Sequence, residues 1–439
     1  MLGTMHIPSY FTSLEVDESW TYEGLKRYEI TYLTHSYHRY PAKFIPQLAR
    51  RLIEEHSENG QVVCDPFVGG GTTLVEGLLT GRRVIGVDVN PVACLAGEAK
   101  TTPIEPRLLK EEIAKFLSKL NSIRAKDVEH AYEKIKASPS YDRIRYWFDW
   151  RATRELAGIL SIIEDTANED VKLFLKCGFS HVLKNCSRWD GNTIKPIRDM
   201  SRKKPKVVQV FRSHIQHMNR KNAQFYETLS ESIRVQLNMY VKVVQGDCRH
   251  MPCEDNEVSL IVTSPPYVTS YEYADLHQLS ILWLERDTEL SQIRKNFIGT
   301  EQPKDMSVGS VHSEIGNGIV EDLKNSGNNG YARAVFTYFA EMQQAIEKFY
   351  RVLKTGGTMC IVIGNTTLGG VNILNAHVLT ELSLNQGFTL SKIIKRRVPG
   401  NGKFLPSARD PETGYFAPTK AKKKKWSYQY EYVLIFSKP

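Results

Sequence analysis

The chain has 439 residues, with 58 Lys or Arg against 49 Asp or Glu and a formal net charge of +9. Hydrophobic residues make up 41% and charged residues 24%, which is typical of globular proteins and excludes a mostly disordered chain, a collagen-like chain and a coiled coil. No apolar run reaches the roughly 18 residues of a membrane span, so we expect no membrane span, and the pattern of the first residues predicts no secretory signal. The length fits two or three domains, or one large α/β domain with an insertion.

The first part of the chain has the order of a βαβ unit. Residues 44–57 space apolar side chains as an amphipathic helix, and residues 61–64 form a short apolar strand. A glycine-rich turn, DPFVGGGTT at 65–73, separates that strand from a helix at 74–79 and a second strand at 83–87. This order predicts two parallel strands joined by a helix.

The pattern then changes. Residues 101–238 are mostly helical in pattern, and strand alternation returns at Tyr240–Val244 and Val258–Thr263. The remaining predictions are a long loop at 296–332, a helix at 333–354, and strands at Met359–Ile363, Phe388–Ile394 and Tyr430–Phe436. The sequence therefore predicts an α/β core split by a largely helical insertion.

The glycine turn indicates a ligand site. Glycines let a ligand approach the backbone at the carboxyl edge of a parallel sheet, and the next helix begins with free N–H groups. The turn does not fit GxGxxG, because Leu74 stands at the third glycine, nor a P-loop, because no Gly-Lys-Ser/Thr follows. Asp88 ends the second strand, where an acid accepts hydrogen bonds from ribose hydroxyls. The pattern favours a nucleoside-containing cofactor over the alternative of a tight turn with an exposed Asp.

A second turn, Ser264-Pro265-Pro266-Tyr267, follows the strand 258–263. Two prolines fix the backbone and remove two N–H donors, which leaves the Ser264 hydroxyl and the Pro265 carbonyl as acceptors. Tyr267 adds an aromatic face. Acceptors beside a stacking face suit a planar ring with an exocyclic amino group, whereas an isolated turn of this kind would be read as a plain turn with a core tyrosine.

Together the two turns resemble those of S-adenosylmethionine-dependent DNA methyltransferases that act on exocyclic amino groups. The turn at 65–73 resembles their first cofactor motif, in which Ser is usual at the place of Gly70. GVDVNP (86–91) and QGDC (245–248) resemble the motifs whose acids bind the cofactor ribose and meet the adenine amino group. YPAKF (40–44) resembles the motif that closes over the methionine end. For the cofactor S-adenosylmethionine, the resemblance implies a set of binding residues: Lys43, Phe44, Asp65, Phe67, Gly69, Gly71, Thr72, Asp88, Asn90, Asp247 and Cys248.

The resemblance covers roughly 30–100 and 239–439. It implies a Rossmann-like methyltransferase fold, with a mixed, mostly parallel sheet and helices on both faces. We accordingly expect a catalytic domain formed by 1–100 and 239–439, with the helical insertion at 101–238.

The TSPPY form of the second turn bears on the target. In the family the Ser form goes mostly with cytosine N4 and the Asp or Asn forms with adenine N6, although both amines need only acceptors. The resemblance implies a flipped base, stacked on Tyr267, whose amino group binds Ser264 and the Pro265 carbonyl beside Pro266. It favours cytosine N4. The alternatives are adenine N6, an RNA or protein-amide methyltransferase, and a DNA-binding subunit with a degenerate cofactor site.

Basic residues cluster in the insertion. Between Thr193 and Asn222 there are nine Lys or Arg against one acid, Asp199. So many unpaired cations cannot be buried, so they are expected to face solvent or phosphate. The insertion is therefore the candidate DNA-recognition region, in competition with 296–332 and 396–425. The residues predicted to bind DNA are Lys203, Lys204, Lys206 and Arg212.

Seven cysteines lack any CxxC pair or zinc-ligand spacing, so the sequence predicts reduced thiols and no metal site. The partners implied by the resemblance are double-stranded DNA and, in a restriction-modification setting, a cognate restriction endonuclease that acts on the same site. We expect a prokaryotic, cytoplasmic, nucleoid-associated protein without membrane contact.

Overall fold

The computed structural model describes residues 7–41, 45–191, 193–203, 206–268, 273–286, 289–300, 310–398 and 429–439. Lys43, Phe44 and Lys204, and the basic segment from 399 to 425, lie outside the described residues.

The helices and strands follow in chain order. The strands are Val62–Asp65 (β1), Arg83–Asp88 (β2), Val241–Gln245 (β3), Val258–Thr263 (β4), Leu353–Gly364 (β5), Thr366–Leu368 (β6), Val371–Ile373 (β7), Thr389–Arg397 (β8) and Tyr430–Ser437 (β9). The helices before β3 are Ile7–Ser13 (α1), Arg27–Ile30 (α2), Pro46–His56 (α3), Thr72–Leu79 (α4), Pro91–Thr101 (α5), Pro106–Ser122 (α6), Ala125–Lys136 (α7), Tyr141–Trp147 (α8), Trp150–Glu164 (α9), Glu169–Cys186 (α10), Val207–Thr228 (α11), Glu231–Val235 (α12) and Leu237–Tyr240 (α13). The later helices are Tyr273–Leu276 (α14), Gln278–Leu284 (α15), Leu290–Arg294 (α16), Glu314–Asn325 (α17), Asn329–Val352 (α18) and Asn375–Asn385 (α19). Short 3-10 helices lie at Glu18–Trp20, Leu33–Ser36 and Cys248–His250.

The described residues form a seven-stranded sheet in the order β3-β2-β1-β4-β5-β9-β8. The first five strands are parallel, while β9 runs antiparallel to both β5 and β8. The strand order reverses between β1 and β4, and ligands of open α/β sheets bind at the carboxyl ends on either side of such a point. The predicted Rossmann-like methyltransferase fold is confirmed.

Helices cover both faces of the central strands. On one face Val63, Leu260 and Val262 pack with Leu48 and Leu52 of α3. On the other, Val62, Cys64 and Ile261 belong to the core that α18 shares. Central parallel strands are buried on both faces, which explains why β1 reads as an unbroken apolar run.

The insertion folds as a set of helices around its own apolar core. That core is not isolated, because it includes Ala99 of α5 and Leu279, Leu282 and Trp283 of α15. The helices of 101–238 therefore pack directly against elements that follow β4. Among the described helices, none combines the length and the apolar character needed to cross a bilayer.

The prediction of a long loop over 296–332 is wrong for residues 314–325. These form α17, and α18 begins at Asn329. Ser313 caps α17 by accepting the N–H of Gly316 at 2.8 Å. Ile319 and Leu323 are buried, so tertiary packing stabilises a helix whose glycines weaken its intrinsic propensity.

Candidate active site

A cleft of about 750 Å³, including its open mouth, lies at the carboxyl ends of β1, β2 and β4. The structure brings together at this cleft nine of the residues predicted from sequence: Asp65, Phe67, Gly69, Thr72, Asp88, Asp247, Cys248, Ser264 and Pro266. Since these come from four separate segments, the parallel sheet is what assembles them.

The glycine turn requires glycine at two positions. Gly69 has φ +46° and Gly71 has φ +71°, conformations that L side chains rarely adopt. A Cβ at Gly69 would lie 3.2 Å from the ring of Tyr40, and one at Gly71 would lie 3.0 Å from the Cα of Gly97. The turn is thus packed closely between an aromatic wall and α5, and Gly71 itself stands behind the cleft lining, before the start of α4.

Asp88 sits at the end of β2 with its carboxylate partly satisfied by backbone. The N–H of Gly69 donates to Oδ2 at 2.8 Å and that of Asn90 donates to Oδ1 at 2.9 Å. Burial nevertheless raises the pKa of Asp88 to about 6. Each carboxylate oxygen keeps a lone pair, so Asp88 fixes the glycine turn and can still accept a ligand hydroxyl.

Asp65 joins the two motifs. Its Oδ1 accepts the Thr263 hydroxyl at 2.7 Å and the Phe67 N–H at 3.1 Å. Burial raises its pKa to about 6. Because Thr263 directly precedes Ser264, this bond sets the end of β4 against the glycine turn.

Asp247 follows β3 and is held by Arg249. The guanidinium contacts both carboxylate oxygens, at 2.6 Å for the Nη2–Oδ2 pair, and also reaches Glu341 of α18 at 3.2 Å. Burial alone would raise the pKa of Asp247, but the hydrogen bonds from Arg249 keep that pKa below its usual value. The carboxylate therefore lines the cleft in charged form, beside buried Cys248.

In the turn after β4, Ser264 and Pro266 line the cleft, whereas Pro265 and Tyr267 are buried beside it. The Tyr267 hydroxyl accepts the N–H of Gly364 at 2.9 Å and donates to Glu431 at 3.4 Å. The ring of Tyr267 is thus fixed by its hydroxyl to the end of β5.

Other cleft residues were not predicted. Tyr40 stacks on His277 at 4.4 Å between ring centroids, and its hydroxyl lies 3.3 Å from the side-chain nitrogen of Asn90. Asn90 is fully buried and supports Tyr40 from outside the cleft lining. The sequence signal for Tyr40 was its place in YPAKF; no local signal marks the further lining residues Tyr273, Asn296, Phe297 and Ile298.

The predicted DNA-binding residues have different surroundings. Lys203 and Lys206 are exposed, while Arg212 is half-buried and donates to Asn121 at 2.6 Å. The expectation that every cation of 193–222 faces solvent or phosphate is wrong for Arg202. Its guanidinium donates to the carbonyls of Lys184, in the last turn of α10, and of Ser187 and Trp189, which follow that helix. Backbone carbonyls, rather than an acid, satisfy this cation.

The cleft fits S-adenosylmethionine. Besides the acidic groups, Thr72 lines it at the N-terminus of α4, and the buried Thr72 hydroxyl makes no hydrogen bond within the described part of the chain. A free hydroxyl at a helix N-terminus suits a carboxylate, such as that of methionine. Phe67, Phe297 and Ile298 supply apolar walls for an adenine ring.

The sequence of this chain is similar to those of known methyltransferases. The family model described as DNA methylase, for N6 and N4 methyltransferases, matches residues 10–99 and 258–439. The chain belongs to this family. The DNA methylase is 27% identical to the type II methyltransferase M.MvaI of Kocuria varians, over 91% of each chain. It is 22% identical to the type II methyltransferase M.BsoBI of Geobacillus stearothermophilus, over 82% of this chain and 79% of that one.

Two further likenesses are weaker, one because it is short and the other because its sequence identity is low. The DNA adenine methyltransferase YhdJ of Escherichia coli is 34% identical over 61 residues, which is 14% of this chain and 21% of that protein. The solved structure of a geranyl diphosphate C-methyltransferase from Streptomyces coelicolor aligns over 97% of this chain and 89% of that one, at 8% identity and a TM-score of 0.33. The fold is identified from the strand order β3-β2-β1-β4-β5-β9-β8.

The methylase acts on DNA, and its predicted cofactor, S-adenosylmethionine, is confirmed with the family. When bound, the cofactor supplies a methyl group on a sulfonium, which is already a good electrophile. The chain therefore has to bind the cofactor and the target base, orient them towards each other and exclude water. The rigid elements around the cleft suit these tasks.

Proposed function

We propose that this DNA methylase methylates the exocyclic N4 of a cytosine flipped out of double-stranded DNA. The observation that carries the proposal is the position of Ser264, which follows β4 and lines the same cleft as Asp88 and the glycine turn. An acceptor fixed beside the cofactor site is what a target amine needs, and the Ser form of the turn favours cytosine.

We infer the cofactor roles from the contacts. Asp88 accepts the ribose hydroxyls and Asp247 accepts the adenine amino group, while Thr72 and the first N–H groups of α4 bind the methionine carboxylate. Phe67 and Cys248 border the adenine. These roles are supported by cleft lining, by the buried free hydroxyl of Thr72 and by the charged state of Asp247. Lys43 and Phe44 stay predictions, because they lie outside the described residues.

For the target, the Ser264 hydroxyl and the Pro265 carbonyl accept the two N–H groups of the amine. The lone pair of the nitrogen then faces the methyl group, and orientation accounts for much of the rate. Tyr267 is the residue that we propose to stack on the target base; its ring is buried beside the cleft lining and held by the hydrogen bonds of its hydroxyl. Pro266 borders the cleft and keeps the turn rigid.

Adenine N6 is the second candidate. Both amines need the same acceptors, and a 61-residue stretch is similar to a DNA adenine methyltransferase. An RNA or protein-amide substrate is a further alternative that the turn chemistry alone does not exclude.

We further propose that 1–100 and 239–439 form the catalytic domain and that 101–238 contacts DNA. The relatives named as type II methyltransferases support a restriction-modification setting. In that setting a cognate endonuclease cuts the same unmodified sequence, and both proteins work in a prokaryotic cytoplasm on the nucleoid.

The test is transfer from tritiated S-adenosylmethionine to DNA, RNA and protein offered separately, followed by digestion of labelled DNA to nucleosides. We expect label in DNA as N4-methylcytosine, and much less with Ser264→Ala. Label recovered as N6-methyladenine would establish the second candidate. Label confined to RNA or protein would overturn the DNA proposal, and a catalytically inactive chain that still binds DNA would indicate a recognition subunit.

A further inference from the structure

The insertion carries an exposed apolar surface near α8. Tyr146 is 43% exposed, Ile197 52% and Met200 63%. Single exposed apolar side chains are common on protein surfaces, but a group of them on a rigid base indicates a contact surface.

The described residues 188–191 and 193–200 pack on α8, which brings Tyr146 next to the chain that carries Ile197 and Met200. The N–H of Arg188 donates to the Trp147 carbonyl at 2.7 Å, and an antiparallel bridge pairs Trp189 with Arg198. The Arg198 guanidinium then lies 4.3 Å from the ring centroid of Tyr146.

The base of the surface is buried and rigid. Trp147 stacks on Trp189 with ring centroids 5.4 Å apart, and both rings are buried. Trp147 and Arg143 each donate to the side-chain oxygen of Gln278 at 3.0 Å. Gln278 begins α15, and Tyr273, one turn earlier in α14, lines the cofactor cleft. The surface is therefore anchored to the helices beside the cleft.

The surface has a modest excess of positive charge, because α8 and the segment 188–200 together contain five Arg or Lys against three Asp. Arg143 is exposed, Arg188 reaches the sulfur of Met200 at 3.0 Å, and Arg198 covers Tyr146. Of the three acids, Asp199 accepts the hydroxyl of Ser201 at 2.7 Å. A guanidinium group has five N–H donors, so one that stacks on an aromatic ring or makes one hydrogen bond retains further donors for phosphate oxygens.

We propose that this surface, formed by Arg143, Tyr146, Arg188, Ile197, Arg198 and Met200 and called here the Tyr146 surface, binds the DNA duplex during methylation. The guanidinium groups contact phosphates, while Tyr146, Ile197 and Met200 contact sugars and base edges. This role of the Tyr146 surface rests on the proposed function, because it requires that DNA is the substrate. It does not depend on which base is methylated. Positive charge and arginine–aromatic stacking favour a nucleic acid over another protein as the occupant.

The test compares Tyr146→Ala, Arg198→Gln and Met200→Ser, singly and together, with a matched control. Met239→Ser is that control, because Met239 is also 63% exposed but lies on α13. Affinity is measured by fluorescence anisotropy with a labelled, mixed-sequence DNA duplex, and S-adenosylmethionine affinity is measured by calorimetry.

We expect the triple variant to bind DNA on the order of tenfold more weakly, with cofactor affinity unchanged, and the control to match the unaltered chain. Unchanged cofactor affinity also establishes that the variant is folded. DNA affinity equal to that of Met239→Ser would overturn the proposal, as would a change confined to self-association in sedimentation. If the unaltered chain binds DNA but transfers no methyl group, the proposed function fails while this comparison still decides the role of the surface.

Discussion

The hydroxyl of Tyr267 lies 2.9 Å from the backbone nitrogen of Gly364 and accepts its hydrogen, which ties the turn after β4 to the end of β5. The residue expected to stack on the target base is thereby also part of the framework. Its hydroxyl and its ring have separate tasks, and substitution can separate them.

Tyr267→Phe keeps the ring but leaves the Gly364 N–H without its partner. We expect a loss of stability of about 1–3 kcal/mol, the cost of an unsatisfied buried donor, with most activity retained by the folded fraction. Tyr267→Ala should reduce activity further, since stacking is worth roughly 1–3 kcal/mol per base. Urea denaturation and methyl-transfer rates measure the two effects. Equal activity losses in the two variants would point to the hydroxyl instead of the ring.

Asp88 should make cofactor binding pH-dependent. Its pKa is about 6, raised by burial, so protonation below that pH removes the acceptor for the ribose hydroxyls. We expect S-adenosylmethionine affinity to fall as the pH decreases through about 6. Asp88→Ala should weaken binding by about 1–3 kcal/mol at neutral pH and flatten the pH dependence.

Asp65 has a similarly raised pKa, so the variant is needed to assign the effect. If calorimetry shows that S-adenosylmethionine affinity depends on pH in the same way in the Asp88→Ala variant and in the unaltered chain, Asp88 does not bind the ribose.

The sequence was most informative where function is built from contiguous motifs. The strand–turn–helix order around the glycine turn predicted β1, α4 and β2, because apolar runs interrupted by glycine have few other solutions. The residues around Asp65, Asp88 and Ser264 were predicted from the chemistry of the two turns and from the resemblance to the methyltransferase family, and the structure assembles them at one cleft.

What the sequence could not supply depends on distant parts of the chain. α17 contains Gly316 and Gly318, and it becomes a helix because Leu323 packs against α18. Phe297 reaches the cleft from a segment with no motif. Arg202 was one of the nine cations expected to face solvent or phosphate, but its guanidinium donates to carbonyls in the last turn of α10 and just after it.

Ser264→Ala tests the target-amine role. Loss of one acceptor aimed at the amine should lower the methyl-transfer rate by about tenfold or more while cofactor affinity stays the same. Ser391→Ala, at an exposed position of β8, is the control. Single-turnover rates and calorimetry separate the two steps. If cofactor affinity falls in parallel with the rate, Ser264 belongs to the cofactor site.

The stacked pair His181 and His214 should make the free energy of unfolding depend on pH. His181 and His214 stack at 3.9 Å, and His214 contacts the Tyr37 carbonyl at 2.9 Å, which joins α10 and α11 to the segment before Tyr40. Burial lowers the pKa of His181 well below its usual range and that of His214 to about 4. The unfolded chain binds these protons near pH 6.5, so their contribution to stability is complete above that pH and decreases as the pH falls towards 4.

The raised carboxyl pKa values of Asp65 and Asp88 act in the opposite sense, because their folded forms hold protons more tightly than the unfolded chain. The comparison must therefore be made between variants. His214→Gln, which can still donate to the Tyr37 carbonyl, should reduce the loss of stability between about pH 7 and pH 5, with each unit of pKa depression worth about 1.4 kcal/mol. Denaturation curves with the same pH slope in both chains would show that His214 does not titrate in this way.

The basic segment before α11 gives the last prediction. Lys203 and Lys206 are exposed, whereas the Arg202 guanidinium donates to backbone carbonyls. If they bind phosphates, the double substitution Lys203→Gln with Lys206→Gln should weaken duplex binding at low salt. It should also flatten the plot of log affinity against log salt by up to about 0.9 per lost contact, because fewer counterions are released. The charge-matched control is Lys26→Gln with Lys354→Gln, at exposed positions outside the insertion, and its slope should match that of the unaltered chain. Cofactor affinity should not change in either variant. A slope identical in both doubles would make Lys203 and Lys206 a solvated surface, and the DNA contacts would then have to come from other parts of the chain, with the Tyr146 surface as the first to test.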